Sequence, residues 1–186
     1  MEPIRIFISY SHENEIWMTE TLRGNEPNPQ YLLGRWKKEY PREKGFEFWY
    51  DRERDAGISG GDKWRERIFA ELDKADVAIL LISEDFRISD FIRNQELPRI
   101  LHRANKGELE VLPIYVEPAQ LEKLDIPGIY QITPGQPTAL SYYYNNRHDW
   151  MTALIDVSRA MERVIYRAVR KKNPKPEPKP EPKPVP

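Results

Sequence analysis

Glu96 is the residue of this sequence whose type and position best suit chemistry. It lies in the stretch SEDFRISDFIRNQELPRIL, residues 83–101, early in a segment with helical spacing. Competing candidates are few, because the chain has no cysteine, which excludes disulfides, thiolate catalysis and zinc–thiolate sites. The three histidines, at positions 12, 102 and 148, are too far apart for a metal-ligand motif. A lone glutamate in a helix is usually a solvated residue that interacts with the helix dipole. Whether Glu96 has a catalytic role instead depends on where it lies in the fold.

Strand-like and helix-like segments alternate along the chain. Runs rich in β-branched and aromatic residues predict strands at Ile4–Tyr10, Phe46–Tyr50, Val77–Ser83 and Glu110–Val116, and a weaker run predicts a fifth at Gly128–Thr133. The third run is apolar throughout, as in a central parallel strand that is covered on both faces. Helical spacing separates the strands. The alternation predicts an α/β fold of the flavodoxin-like type, a five-stranded parallel sheet with helices on both faces.

Three segments do not follow this simple alternation. The connection between the first two strands is long, and its spacing predicts an inserted helical segment at about residues 24–44. Between Trp150 and Ala168 the apolar residues recur with gaps of four and three, which favours a long last helix packed on the sheet over a dimer seam. Residues 171–186 repeat Lys-Pro-Glu-Pro and predict an extended linker or tail after a domain at 1–170. We expect a further domain beyond that linker.

The three loops that follow the first three strands are expected to meet at one edge of the sheet. In a sheet of this type those strands are neighbours in the order 2-1-3, and ligands bind at their carboxyl ends. The loops are SYSHENE, DRERDAGISGGDKW and SEDFRISD. The third loop introduces the helix that carries Glu96, so the sequence predicts that Glu96 lies at this edge.

Four segments, taken in order, resemble a bacterial Toll/interleukin-1 receptor (TIR) domain over about residues 4 to 165. They are IRIFISYSHENE, FWYDRERDAGISGGDKWRERI, ADVAILLISEDFRISDFIRNQELPRIL and VLPIYVEP. Each segment alone is modest evidence, but four in order with sensible spacing are a specific signal. The resemblance implies the same five-stranded fold. Many TIR domains cleave the nicotinamide–ribose bond of NAD+, and several also make cyclic ADP-ribose isomers.

The resemblance implies a catalytic role for Glu96. The family's catalytic glutamate lies on the helix after the third strand, in a serine–aromatic–glutamate–leucine context that here corresponds to Ser89, Phe91, Glu96 and Leu97. One carboxylate is enough, because nicotinamide leaves as a neutral pyridine and the oxocarbenium-like transition state needs only a nearby negative charge. Many active members place a tryptophan four residues before the glutamate. Ile92 takes that position here, which suggests one extra residue in the helix.

The resemblance also implies substrate-contacting residues in the first two loops and an aromatic wall for the nicotinamide. These residues are Ser11, His12, Asp55, Gly57, Trp64, Phe86 and Phe91. Simpler roles compete with these. His12 and Asp55 also suit solvated loop positions, and Trp64 also suits an anchor that packs its helix on the core. Ser89, like Ser83 before it, suits a helix cap better than a nucleophile, because no histidine base is nearby.

Two functions from different classes follow from the resemblance. The first is an NAD+ glycohydrolase or cyclase, activated by self-association, in bacterial immune or stress signalling. It would take NAD+ as substrate and need no cofactor or metal. The second is a non-catalytic adaptor that binds other TIR domains through its glycine-containing second loop. A receiver-like signalling domain is disfavoured, because receivers place paired acidic residues directly after the first strand.

Charge and hydropathy narrow the partners and the location. The 29 basic and 30 acidic residues nearly cancel, so nothing indicates binding to nucleic acid or to a membrane surface. The N-terminal run lacks the basic and long apolar regions of a signal peptide, and no apolar run approaches the length of a membrane span. We therefore expect a cytoplasmic protein whose partners are other TIR domains.

Overall fold

A four-stranded parallel sheet organises the chain. The structure, a computed structural model, describes residues 2–18, 32–51, 62–124, 126, 133–134 and 138–173. The strands are β1 (Ile4–Ser9), β2 (Phe46–Trp49), β3 (Val77–Ile82) and β4 (Glu110–Tyr115), in the spatial order β2-β1-β3-β4. The predicted neighbours 2-1-3 are confirmed. The strand order reverses between β1 and β3, and this is the switch point where ligands bind in such sheets.

Helices cover both faces of the sheet, as predicted. The α-helices are α1 (Leu32–Glu39), α2 (Asp62–Lys74), α3 (Glu84–Ile88), α4 (Leu97–Asn105) and α5 (Arg147–Lys172). Short 3-10 helices lie at His12–Met18, Arg42–Lys44, Leu121–Lys123 and Leu140–Tyr143, and a π-helical turn at Ile92–Glu96 precedes α4. Residues of α1 and α5 join one core cluster, and residues of α2, α3 and α4 join the other.

The alternation of β1 distributes its side chains between these two cores. Ile4, Ile6 and Ile8 pack with α1 and α5, whereas Phe7 packs on the opposite face beside α2. Successive residues of a strand point to opposite faces, so Ser9 shares the face of Phe7. The whole of β3 is buried, which confirms the prediction that it is a central strand.

The predicted fifth strand is confirmed only as a single bridge. Thr133 pairs in parallel with Ile114 of β4, and residues 128–132 of the predicted strand lie outside the described residues. The Thr133 N–H donates to the Pro113 carbonyl at 3.0 Å, and the Tyr115 N–H donates to the Thr133 carbonyl at 2.8 Å. Pro113 and Tyr115 therefore present their backbone away from β3. This register tolerates a proline, because the ladder between β3 and β4 loses no donor there.

The long last helix packs on the sheet rather than forming an exposed seam. The predicted stripe from Trp150 to Ala168 is buried along α5 in the first core cluster. Asn146 caps the helix by accepting hydrogen bonds from the backbone N–H groups of His148 and Asp149. Near its other end, Lys171 forms an ion pair with Glu110 at 2.5 Å.

Deleting Pro174 to Pro186 is expected to shift the melting temperature by less than about 2 °C, because a Lys-Pro-Glu-Pro repeat adds little apolar burial. Differential scanning calorimetry of the two chains measures the shift. A control truncation after Ala168 also removes Lys171 and Lys172, which pair with Glu110 and Asp76. It should lower the melting temperature clearly. A drop of several degrees for the shorter deletion would show that the tail packs on the domain.

Candidate functional site

A small cavity opens at the carboxyl ends of β1 and β2, between α2 and the π turn. Its volume is about 120 Å³. The residues that line it come from β1 and the loop after it, the end of β2, α2, and the segment from the third loop to the π turn. They are Phe7, Ile8, Ser9, Tyr10, Ser11, His12, Trp49, Asp51, Trp64, Ile68, Ser89, Phe91, Ile92 and Glu96.

Glu96 presents a buried carboxyl group to this cavity. The residue is 5 % exposed, and the Ser9 hydroxyl at the end of β1 donates a hydrogen bond to its Oε1. The pKa of Glu96 is raised to about 7, chiefly by burial and in smaller part by the negative charge of Asp51. The Ser9 hydrogen bond and the charge of His12 act in the opposite direction. A carboxyl group with a pKa near neutrality is characteristic of functional sites.

The π turn determines which aromatic side chain accompanies Glu96. The Leu97 N–H bonds to the Ile92 carbonyl, five residues earlier, instead of the residue four earlier. Such a turn holds one extra residue and is frequent at functional sites. In an α-helix, the residue four positions before Glu96 would lie beside it. The extra residue of the π turn moves that place to the residue five positions before Glu96. That residue is Phe91, in agreement with the extra helical residue that the sequence suggested.

Aromatic rings form two sides of the cavity. The rings of Trp64 and Phe91 lie 4.6 Å apart between centroids. On the strand side, Trp49 stacks on Phe7 at 5.0 Å with an interplanar angle of 14°. Phe86, the third aromatic candidate, is 1 % exposed in the core and does not line the cavity. Trp64 packs against Phe91, as an anchor of its helix would, and it also lines the cavity.

Asp51, two residues after the end of β2, connects the walls of the cavity. Its Oδ2 accepts a hydrogen bond from the Trp64 indole N–H at 2.6 Å and lies 3.3 Å from Nε2 of His12. Its backbone carbonyl accepts a hydrogen bond from the Tyr10 hydroxyl. The Tyr10 ring in turn stacks on His12, with 5.5 Å between centroids. Asp51 thus contacts two residues of the segment after β1 and one residue of α2.

Comparison with known proteins decides the family. The family model described as "TIR domain" matches residues 35–149, more than half of the chain. The chain belongs to the TIR-domain family. The uncharacterized protein y4lF of Sinorhizobium fredii is 30 % identical over 109 residues, which cover 59 % of this chain and 29 % of that protein. The chain therefore aligns with less than a third of that relative. No solved structure matches the chain.

A buried polar network holds the first loop of this TIR domain. The amide N–H₂ of Asn14 donates to Glu117 at 3.2 Å, and the Trp17 indole donates to the same carboxylate at 2.8 Å. The Ser83 hydroxyl donates to the Asn14 side-chain oxygen and accepts from the Phe86 N–H at 3.0 Å. Ser83 is thus the N-cap of α3, as predicted. Because buried polar groups that are fully paired rigidify their surroundings, the network orients the loop that carries Ser11 and His12.

The TIR fold brings most of the predicted site residues together. Five of them line the one cavity: Ser11, His12, Trp64, Phe91 and Glu96. Asp55 and Gly57 lie outside the described residues. The sequence reasoning missed Ser9, Trp49 and Asp51. Two of them had a signal in the sequence. The alternation of β1 places Ser9 on the face of Phe7, and Asp51 directly follows the predicted second strand.

The parts of the TIR domain that the structure describes contain neither a membrane-spanning helix nor a metal-binding cluster. None of those helices is long and apolar enough to cross a lipid bilayer. In the same ranges, no three His, Asp or Glu residues are grouped so that they could hold a metal ion.

Proposed function

We propose that this TIR domain cleaves the nicotinamide–ribose bond of NAD+. The observation that carries the proposal is the buried carboxyl group of Glu96 at a small cavity with aromatic walls. The nicotinamide ring of NAD+ is a flat cation. Aromatic faces attract a cation, and a carboxylate in a site of low dielectric attracts it further. The family supports this activity as one of two, since TIR domains include both enzymes and adaptors.

The chemistry needs one negative charge at the ribose. The bond between ribose C1′ and the pyridinium nitrogen breaks, and its electron pair leaves with neutral nicotinamide. Positive charge then develops on C1′ and the ring oxygen, where the Glu96 carboxylate stabilises it. A water oxygen forms the new bond to C1′ and loses a proton, giving ADP-ribose. Ser9 holds the carboxylate in position by donating to Oε1.

The size of the cavity favours a site that is only partly formed in one molecule. Its volume of about 120 Å³ is well below the ~300–1,000 Å³ of pockets that enclose drug-sized ligands. The cavity suits the nicotinamide ring of NAD+. The remainder of the dinucleotide would bind outside it. In the family, the second loop of one molecule packs against a neighbour and helps to complete the NAD+ pocket. Self-association is therefore part of the proposal.

The experiment that tests the proposal is release of free nicotinamide from NAD+ by the purified chain at high concentration, followed by chromatography. Release that depends on the chain supports the enzyme. If no nicotinamide appears at any concentration, even when the chain is clustered artificially, the adaptor function replaces the proposal.

Turnover per molecule is expected to rise with protein concentration, because a complete pocket preorganises the substrate better than a partial one. The measurement is NAD+ turnover per mole of chain over a range of about three orders of magnitude in concentration, beside light scattering for particle size. Bovine serum albumin added at equal mass controls for crowding and adsorption. Constant turnover from a species that stays monomeric would contradict the assembly model.

A further inference from the structure

We propose that Asp51 is a positioning residue that clamps the two sides of the nicotinamide cavity, an inference that rests on the proposed function. Nothing in the family comparison or in the resemblance assigns this residue a role. Its side chain is 13 % exposed, lines the cavity and contacts groups from separate elements. The clamp joins the loop after β1 to the start of α2, and Glu96 faces the space between them.

The first arm of the clamp holds the aromatic wall. The Trp64 indole N–H donates to the Asp51 carboxylate at 2.6 Å, and a hydrogen bond to an ionised acceptor is short and strong. The Trp64 ring lies against Phe91, the residue that the π turn brings beside Glu96. Without the acceptor, the half-buried indole N–H loses this hydrogen bond and the ring can rotate. The surface on which nicotinamide would stack is then no longer held in one orientation.

The second arm holds the first loop. Nε2 of His12 lies 3.3 Å from the same Oδ2 atom that accepts from Trp64. The His12 ring stacks on Tyr10, whose hydroxyl donates to the Asp51 backbone carbonyl. The side chain and the backbone of one residue thus hold the His12–Tyr10 pair. This double contact sets the distance between the two sides of the cavity.

The charge of Asp51 supplies a second, separable effect. The charged groups that act on Glu96 are Asp51, from the end of β2, and His12, from the loop after β1. Asp51 raises the pKa of Glu96 in addition to the effect of burial. A residue that only supported the fold would change stability without changing the pH dependence of the reaction.

The test compares four variants with the wild-type chain. Asp51→Ala removes the carboxylate, Trp64→Phe keeps a ring but removes the indole N–H, and the double variant removes both. Asp73→Asn is the matched control, because the Asp73 carboxylate pairs with Arg99 on the surface, away from the cavity. The readouts are nicotinamide affinity by ligand-observed NMR, the KM and kcat for NAD+, and the ¹⁵N-bound indole proton resonance of Trp64.

We expect Asp51→Ala and Trp64→Phe each to weaken nicotinamide binding and to raise KM by roughly ten- to hundredfold, as expected for a misplaced site. The double variant should be no worse than Asp51→Ala, because the contact that Trp64→Phe breaks is already lost in that variant. The indole resonance that Trp64→Phe deletes should move in Asp51→Ala. Asp73→Asn should match the wild type in binding and KM.

Asp51→Asn separates the effect of the hydrogen bond to Trp64 from the effect of the negative charge. It also replaces Asp51→Ala in the test if the alanine variant fails to fold. Its amide oxygen can still accept from Trp64, so binding should fall less than in Asp51→Ala. Loss of the negative charge lowers the pKa of Glu96, so the acid limb of the activity profile should move to lower pH. An unmoved limb together with unchanged KM overturns the inference.

Other outcomes separate this inference from the proposed function. If the wild type cleaves NAD+ and Asp51→Ala has the same KM and nicotinamide affinity, the clamp is wrong and the function stands. Additive effects in the double variant also overturn the clamp. If the wild type neither binds nicotinamide nor cleaves NAD+ in any assembly, the proposed function and the clamp fail together.

Discussion

Replacing Glu96 with glutamine is expected to reduce NAD+ cleavage by at least about 10³-fold while leaving the fold intact. The amide is nearly isosteric with the carboxyl group, so it fills the same buried space and can still accept the Ser9 hydrogen bond. It carries no negative charge to stabilise positive charge at C1′. Losing one preorganised electrostatic group costs about 10²–10³-fold in well-studied enzymes, and here Glu96 is the only carboxylate proposed to act on C1′.

The measurement pairs nicotinamide release with far-UV circular dichroism on the same samples. Glu110→Gln is the matched control, because Glu110 is also a buried glutamate but lies at the opposite end of the sheet. Its ion pairs with Arg167 and Lys171 support α5, so its loss should lower stability and spare activity. Retained turnover in a folded Glu96→Gln chain would rule out the catalytic assignment.

The same substitution is expected to stabilise the protein at high pH. The pKa of Glu96 is raised to about 7 in the folded state, whereas an unfolded chain gives a glutamate its ordinary value of about 4.3. The folded state therefore binds the proton more tightly between these two values. The contribution of protonated Glu96 to the stability of the wild type is fully present below about pH 4.5. It decreases as the pH rises towards 7. Above about pH 8 the loss is complete.

Glutamine does not titrate, so it removes this loss. The full difference in pKa corresponds to about 4 kcal/mol, and about 3 kcal/mol of this falls between pH 5 and pH 8. The change in unfolding free energy caused by Glu96→Gln is therefore about 3 kcal/mol more favourable at pH 8 than at pH 5. For a domain of this size, about 3 kcal/mol corresponds to roughly 6–12 °C in melting temperature. Urea unfolding of both chains at pH 5, 6, 7 and 8 measures the difference, and titrating groups that do not interact with Glu96 cancel. A difference that does not vary with pH would show that Glu96 titrates normally.

These two results together describe a trade between activity and stability. The ionised form of Glu96 is the one proposed to stabilise the transition state, and it is also the form that burial disfavours. Active sites often keep such groups at a cost in stability. A variant that is more stable at pH 8 and inactive would be the expected signature of this arrangement.

Much of the fold follows from local patterns in the sequence. The runs of β-branched and aromatic residues placed all four described strands to within one residue, because such runs are visible in the sequence without any partner. The apolar stripe from Trp150 to Ala168 indicated α5, and burial of that stripe on the sheet follows from the 3.6-residue period. Only the fifth strand, with its weak pattern, is not confirmed beyond Thr133.

The candidate site was predictable in its location and in five of its residues, but not in its contacts. The order of strands in a doubly wound sheet and the resemblance to TIR domains placed Glu96 at the carboxyl edge. From the sequence, Phe86 and Phe91 were both candidates for the aromatic wall, and Phe91 also matched the motif around Glu96. The π turn distinguishes them, and its hydrogen bond from Leu97 to Ile92 depends on how the helix packs.

The sequence by itself determined the periodicities, the absence of thiol chemistry and the family to which the chain belongs. Only the tertiary structure decided that Ser9 donates to Glu96, 87 residues away, and that Asp51 joins His12 to Trp64. The physical reason is that hydrophobic periodicity acts between neighbours along the chain, whereas burial of a carboxyl group is a property of everything packed around it. The raised pKa of Glu96, on which the proposed chemistry depends, arises from that packing.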